Sequence, residues 1–240
     1  MIVLTYHSHH VVGDDYARND HIAFPIDLRV ITELGFEIVS LDMFVDAWEL
    51  AAAGKRETQA AKLVALTFDD GPIYDIEDFV HPNFGPQRSF LGAMRDFRAQ
   101  LGQEAQKSLH ATSFVIASPA ARQIMEKTFD AEYTYLSAGS MEDTWWEPAI
   151  ETGLIGIGNH SWDHLHPALP LVAHSRQVRA DFRQVLNPKD ADAQIAAATA
   201  FIAAKTAGRA APFFAYPFGH YNDFLVHDYL PRTTPRMRAA

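Results

Sequence analysis

Short apolar runs alternating with helix-length segments set the frame for this chain. Ile2–Tyr6, residues 36–41 and Leu63–Phe68 have the length of buried strands and are rich in aliphatic and aromatic side chains. Residues 25–34 predict a helix, with Pro25 at its start and Gly35 just past its end. Asp42 caps a second helix, which carries Val45, Trp48 and Leu50 until Gly54. Residues 11–21 read as a loop and 55–62 as a polar connection. The β-α-β-α-β order argues for a parallel sheet or barrel with helical crossovers.

Residues 74–89 break that rhythm, with Pro82, Gly85 and Pro86 among acidic and aromatic side chains. They predict an inserted loop, and loops of that length in a compact domain usually serve a site. A helix over 90–100 turns Leu91, Met94, Phe97 and Leu101 to the core, 110–117 is a strand, and Ser118-Pro119 opens the next helix. Further on, 133–136 predicts a short strand and 140–152 a helix. Adjacent Trp145 and Trp146 would not both face one core on that helix, so one is expected at a surface or cleft. Then come a strand at 154–158, helices at 176–186 and 190–207, a last strand at 213–217, and a tail, 231–240, without a strand.

With 240 residues, 48% of them hydrophobic, the chain can bury a substantial core as one domain spanning 1–240. A net charge of −10 and the lack of any Lys/Arg cluster exclude a general nucleic-acid binder. Cysteine is absent, which excludes disulfides, thiolate metal sites and a cysteine nucleophile. A metal would have to be held by carboxylates and the twelve histidines. There is no transmembrane run, and Met1 passes into Ile2–Tyr6 without a basic leader region. The expectation is a cytoplasmic protein if the chain is complete, an exported one if a leader was removed. Nothing in the sequence fixes the oligomeric state.

Chemistry gathers where two strands end. Leu63–Phe68 runs into Asp69-Asp70-Gly71-Pro72. On a regular strand neighbouring side chains point to opposite faces, but a Gly-Pro turn lets two adjacent carboxylates converge. The same four residues are also ordinary turn chemistry. The strand at 154–158 runs into Asn159-His160-Ser161-Trp162-Asp163-His164. If the chain turns helically there, His160 and His164 share a face within reach of one ion. Zincin metalloproteases need Glu directly after the first His; here that residue is Ser161. A catalytic zinc takes three protein ligands and leaves one position for water. Asp70, His160 and His164 would supply that set, leaving Asp69 free as a base beside the bound water.

With these residues in register the chain resembles the polysaccharide deacetylase family, the one with the NodB homology domain. Thr67-Phe68-Asp69-Asp70 is similar to its first motif, His160-Ser161-Trp162-Asp163-His164 to its second, and Phe214-Ala215-Tyr216-Pro217-Phe218-Gly219 to its third. Tyr6-His7 and residues 111–115 are similar as well, so the resemblance spans about residues 1–225. It implies a distorted (β/α) barrel of about seven strands and one divalent metal ion, zinc or a similar ion, on Asp70, His160 and His164. It also implies Asp69 as catalytic base and the Phe218 backbone N–H as an oxyanion donor. The implied reaction is hydrolysis of an N-acetyl or O-acetyl group on a carbohydrate.

Two departures stand out. Family members often carry Arg where this chain has Ala215, and no histidine after Gly219 matches the usual general acid; His220 and His227 are near but differently spaced. Set against the resemblance, the chain is also expected to lack the barrel's closing strand or strands. Two other readings follow. One is a hydrolase of another linear or cyclic amide. The other is a degenerate carbohydrate-binding protein on the same fold, with Trp145, Trp146, Trp162 and Tyr216 stacking on sugar rings. Tyr216 and Trp162 are the candidate substrate contacts.

Overall fold

The computed structural model describes residues 1–54, 62–128, 135–175, 178–233 and 237–238. Its strands are β1 (Ile2–Tyr6), β2 (Glu37–Val39), β3 (Leu63–Phe68), a small antiparallel hairpin of β4 (Phe79–His81) and β5 (Gly85–Gln87), then β6 (Ala111–Val115) and β7 (Ile155–Asn159). All but the hairpin join one parallel sheet. β3 is its centre: β1 pairs with it from Ile2 opposite Val64 to Tyr6 opposite Phe68. The other edge of β3 is shared, β2 taking 63–65 and β6 taking 66–68. β7 follows β6, and single parallel bridges carry the arc on to Phe214 beside Asn159 and Arg238 beside Phe213. The result is the arc of a distorted (β/α) barrel. β3 is buried almost throughout, which explains its near-continuous rather than alternating apolar pattern.

The crossovers are helical: α1 (Asp20–Glu33), α2 (Leu41–Ala52), α3 (Phe90–Leu101), α4 (Pro119–Thr128), α5 (Trp146–Glu151), α6 (Pro188–Ala191) and α7 (Ala197–Lys205). A wide π-turn, Asp192–Ala196, joins the last two into one continuous rod, matching the helix expected at 190–207. Packed against the sheet are the rings of Tyr6, Phe24, Phe68 and Phe90, with Phe68 and Phe90 centroids 4.5 Å apart. Fully burying each such side chain contributes roughly 1.5–3 kcal/mol.

Several boundaries differ from expectation. α1 begins at Asp20, not Pro25, because the Asn19 side chain accepts the His21 N–H and Asp20 suits the positive end of the helix; Pro25 sits inside. The 74–89 segment holds the β4–β5 hairpin after a single 3₁₀ turn, Ile73–Asp75. Only Trp146–Glu151 is helical within 140–152. Both tryptophans are buried in the main core, because Trp145 lies in the preceding turn and is not bound to the helical angle between neighbours. No α-helix forms over 178–186, where the left-handed backbone of Ala180 leaves room only for a short turn, Phe182–Gln184. The strand at 213–217 shrinks to the two bridges at Phe213 and Phe214, since Pro217 opens a new turn. Residues 55–61, 129–134, 176–177, 234–236 and 239–240 lie outside the described residues, which takes in the first half of the strand expected at 133–136; its second half, 135–136, is not in a strand.

The exit from β3 depends on glycine. Gly71 has φ +71°, and a Cβ there would stand 2.5 Å from Val115 Cγ1 and 3.0 Å from Val115 Cα on β6. Gly71→Ala therefore combines left-handed strain of roughly 1–2 kcal/mol with an overpacked contact of about 1–3 kcal/mol. Chemical denaturation is expected to record a loss of at least about 2 kcal/mol, and an unchanged midpoint would contradict this account of the turn.

Candidate active site

Parallel strands bring their carboxyl ends to one side, and five separate chain segments meet there. A cavity of about 390 Å³ is lined by His7 and His9 after β1, Asp69 and Asp70 after β3, and Met125 of α4. The remaining walls are His160, His164, His166 and Pro167 after β7, with Phe218 and Gly219 from the turn beyond Phe214. Asp69, Asp70, His160, His164 and Phe218 are thus brought together. Tyr216 and Trp162 are not in the lining: Tyr216 packs edge-on to Phe214, and Trp162 edge-on to Phe201 against the core.

The backbone explains how adjacent carboxylates share one cavity. The Asp69 N–H still donates to the Tyr6 carbonyl at 3.0 Å, so Asp69 leaves the sheet in strand register beside His7. Asp70 then adopts φ +71°, which breaks the alternation. Ser161, His164, Leu165 and Phe218 are also left-handed, at φ +72°, +60°, +45° and +59°. Backbone strain of this kind clusters at functional sites.

The His160–His164 segment does not turn helically as expected; it is a loop of left-handed corners braced by side chains. Asn159 accepts the Ser161 N–H and donates to the Ile195 carbonyl and Thr199 Oγ1. Ser161 Oγ accepts the His164 N–H at 2.9 Å, and Asp163 accepts the N–H groups of Leu165 and Ala173. The imidazoles of His160 and His164 end 4.8 Å apart, centroid to centroid. His160 Nδ1 donates to the Ala215 carbonyl at 3.0 Å, so its Nε2 keeps a lone pair facing the cavity.

Asp70 Oδ1 stands 3.6 Å from the Nε2 atoms of both His160 and His164. One ligand atom from each of the three lies within 4.8 Å of the others, and all three residues are buried. On its other side Asp70 Oδ2 faces His9 Nε2 at 3.4 Å. Burial opposes the charged form of Asp70, but the imidazoles of His164, His9 and His160 outweigh it and hold the carboxyl well below its usual range. Burial pushes His164 down to about 3 and His9 to about 4, so both are neutral imidazoles at pH 7. Asp70 Oδ1 is a buried anionic oxygen without a hydrogen-bond donor. Such an atom is costly unless a cation meets it, and a carboxylate with two neutral imidazoles fits a divalent ion.

Asp69 is different. Its Oδ1 is buried without a donor, and burial raises its carboxyl above the usual value, with His160 and His7 pulling the other way. Ala215 stands where family members often carry arginine, so no guanidinium from that position reaches Asp69. Of the histidines considered near the third motif, His220 faces Asp181 at 3.4 Å instead of the cavity. His7 and His9 come from the opposite end of the chain. The signal was the run His7-Ser8-His9-His10 at the end of the first strand, meaningful only once β1 is known to pair with β3.

The geometry can be set beside known proteins. BA0330 of Bacillus anthracis is similar in fold, with a TM-score of 0.52 and 16% identity over 95% of this chain, which spans only 54% of that longer protein. IcaB of Ammonifex degensii gives 0.51 and 19% identity over 92% of this chain and 76% of its own. A de-N-acetylase of Aggregatibacter actinomycetemcomitans gives 0.54 and 16% identity over 95% of this chain and 82% of its own. No curated protein matches the chain. The family model described as polysaccharide deacetylase matches residues 56–229, a stretch running from just before β3 to beyond Phe218. Both strand-end motifs fall inside that match, and the chain belongs to the polysaccharide deacetylase family.

Proposed function

We propose that this chain is a metal-dependent hydrolase that removes acetyl groups from an N-acetylated carbohydrate, with O-acetyl esters as the second substrate class. The observation that carries the reading is the buried group of Asp70, His160 and His164 with Asp69 beside it, in a chain of this family. Two imidazoles and a carboxylate suit zinc. When bound, such an ion polarises an acyl carbonyl and lowers the pKa of a water.

The protein's own residues do the rest. Asp69 takes the proton of the attacking water, and an ion held by Asp70, His160 and His164 would favour the ionised form of Asp69 that accepts it. The Phe218 N–H donates to the oxyanion that develops on the acetyl group. His7, which leaves the sheet beside Asp69, gives a proton to the departing nitrogen, the part usually assigned to a histidine late in the chain. Tyr216 and Trp162, outside the cavity lining, have no part in this reading, and the buried Trp145 and Trp146 are unavailable to a sugar ring. The Aggregatibacter protein, named as a de-N-acetylase, supports the N-acetyl preference.

Acetate release from N-acetylglucosamine oligomers and acetylated xylan tests the proposal. Turnover is expected with zinc, lost on chelation and restored on adding the metal back. Metal-loaded protein that releases no acetate from any acetylated sugar ends the deacetylase reading. Cleavage of linear or cyclic amides in the same panel would redirect it to another amide hydrolase, and sugar binding without metal or turnover to a carbohydrate-binding protein.

A further inference from the structure

We propose that His9 is a positioning residue for the metal site, steering Asp70 so that one chosen oxygen meets the ion; this rests on the metal-site reading above. The two oxygens of Asp70 have separate neighbours. Oδ1 is 3.6 Å from the Nε2 atoms of both His160 and His164, whereas Oδ2 is 3.4 Å from His9 Nε2. His9 lies outside the group of ligand atoms drawn together within 4.8 Å, so it addresses the carboxylate and not the ion. His160 directs its Nδ1 proton to the Ala215 carbonyl, whereas His9 Nε2 stands 3.4 Å from Oδ2, and in this proposal the His9 proton sits on that nitrogen, aimed at the anion. A carboxylate can grip a cation with one oxygen or two, and a donor held against Oδ2 leaves Oδ1 as the single ligand atom.

The corner that carries His9 is built to hold a ring still. The His9 carbonyl accepts two N–H groups, from Val11 at 3.1 Å and from Tyr135 at 2.8 Å. The preceding Ser8 is anchored twice, its hydroxyl donating to Asp75 at 2.5 Å and its carbonyl lying 2.6 Å from His21 Nε2. His9 is 4% exposed, and its ring meets His7 edge to face at 5.4 Å. Rigid support of this kind is what a group acting through another residue requires. It also ties β1 to the ion-binding residues of β3 and β7, a connection that neither strand-end motif contains.

Cobalt(II) titration of metal-stripped full-length protein, read by visible absorption, tests the inference. His9→Gln keeps an N–H near the position of Nε2, while His9→Asn is too short to reach Oδ2 and His9→Phe has no donor. Asn and Phe are expected to weaken cobalt binding about 10- to 100-fold, and Gln to restore it to within about threefold, all with the wild-type band shape because no ligand is lost. Circular dichroism identifies any variant that misfolds, and the remaining pair still decides. Asn and Phe variants that bind as the wild type does overturn the inference alone. A band shape altered in every variant also overturns it, since His9 would then be a ligand. Wild-type protein that binds cobalt no better than His164→Ala overturns the metal-site reading and this inference with it.

Discussion

Asp69→Asn is expected to lower kcat for acetyl release by roughly 10²- to 10⁴-fold while metal content stays unchanged. The substitution preserves size and removes only the ability to accept a proton. Asp69 is not among the grouped ligand atoms, and its Oδ1 already lacks a donor, so little else is disturbed. His7→Gln is expected to lower kcat as well, but selectively. An N-acetyl substrate leaves as an amine that must be protonated, so it should slow by about 10²-fold or more. A 4-nitrophenyl acetate leaves as a stable phenolate and should be nearly spared, whereas Asp69→Asn slows both. Equal slowing of both substrates by His7→Gln would remove His7 from the proton-donor role. Activity surviving in Asp69→Asn would remove the base.

The second large effect concerns Asp75, a carboxyl that the proposed chemistry leaves aside. It is fully buried, and each of its oxygens takes one hydroxyl, Ser8 at 2.5 Å and Ser113 at 2.6 Å. Burial raises it to about 7, more than the two serine hydroxyls lower it. In the unfolded chain an aspartate titrates near 4, so between about pH 4 and pH 7 the folded protein binds a proton that the unfolded one does not. Stability therefore falls as pH rises through that window and levels off above about 7, with a total penalty of at most about 4 kcal/mol. Asp75→Asn offers one donor and one acceptor to the same serines without the charge. The metal-free variant is expected to match the metal-free wild type at or below about pH 4 and to be more stable by roughly 2–4 kcal/mol at pH 8. Denaturation midpoints at the two pH values check this. A difference independent of pH would mean that Asp75 keeps an ordinary titration.

Much of this was legible because some signals are local. β1 and β3 announce themselves as apolar runs that stop at His7-Ser8 and Asp69-Asp70-Gly71, and the residues that gather in the cavity follow those stops. The β-α-β order was legible for the same reason. The start of α1 was hidden because Asn19-Asp20-His21 reads as polar loop, while Pro25 imitates a helix start from an interior position. Ala180 shows no preference for the left-handed backbone that stops a helix at 178–186; tertiary contacts impose it. The tryptophan pair misled because the helix begins between its two members. His7 and His9 stayed unassigned for a topological reason. Their relevance depends on β1 lying against β3, a pairing across about sixty residues that no local pattern carries.

The five left-handed corners at Asp70, Ser161, His164, Leu165 and Phe218 have a consequence for the molecule as a whole. At roughly 1 kcal/mol or more each, their sum is comparable to the net stability of an ordinary domain. The core therefore acts as a reservoir that the cavity draws down. A substitution that loosens packing far away, around Phe68 and Phe90 for example, lets these corners relax before the sheet itself comes apart. Site geometry and bulk stability draw on one reserve, so the proposed activity is expected to fail in destabilised variants that still look folded.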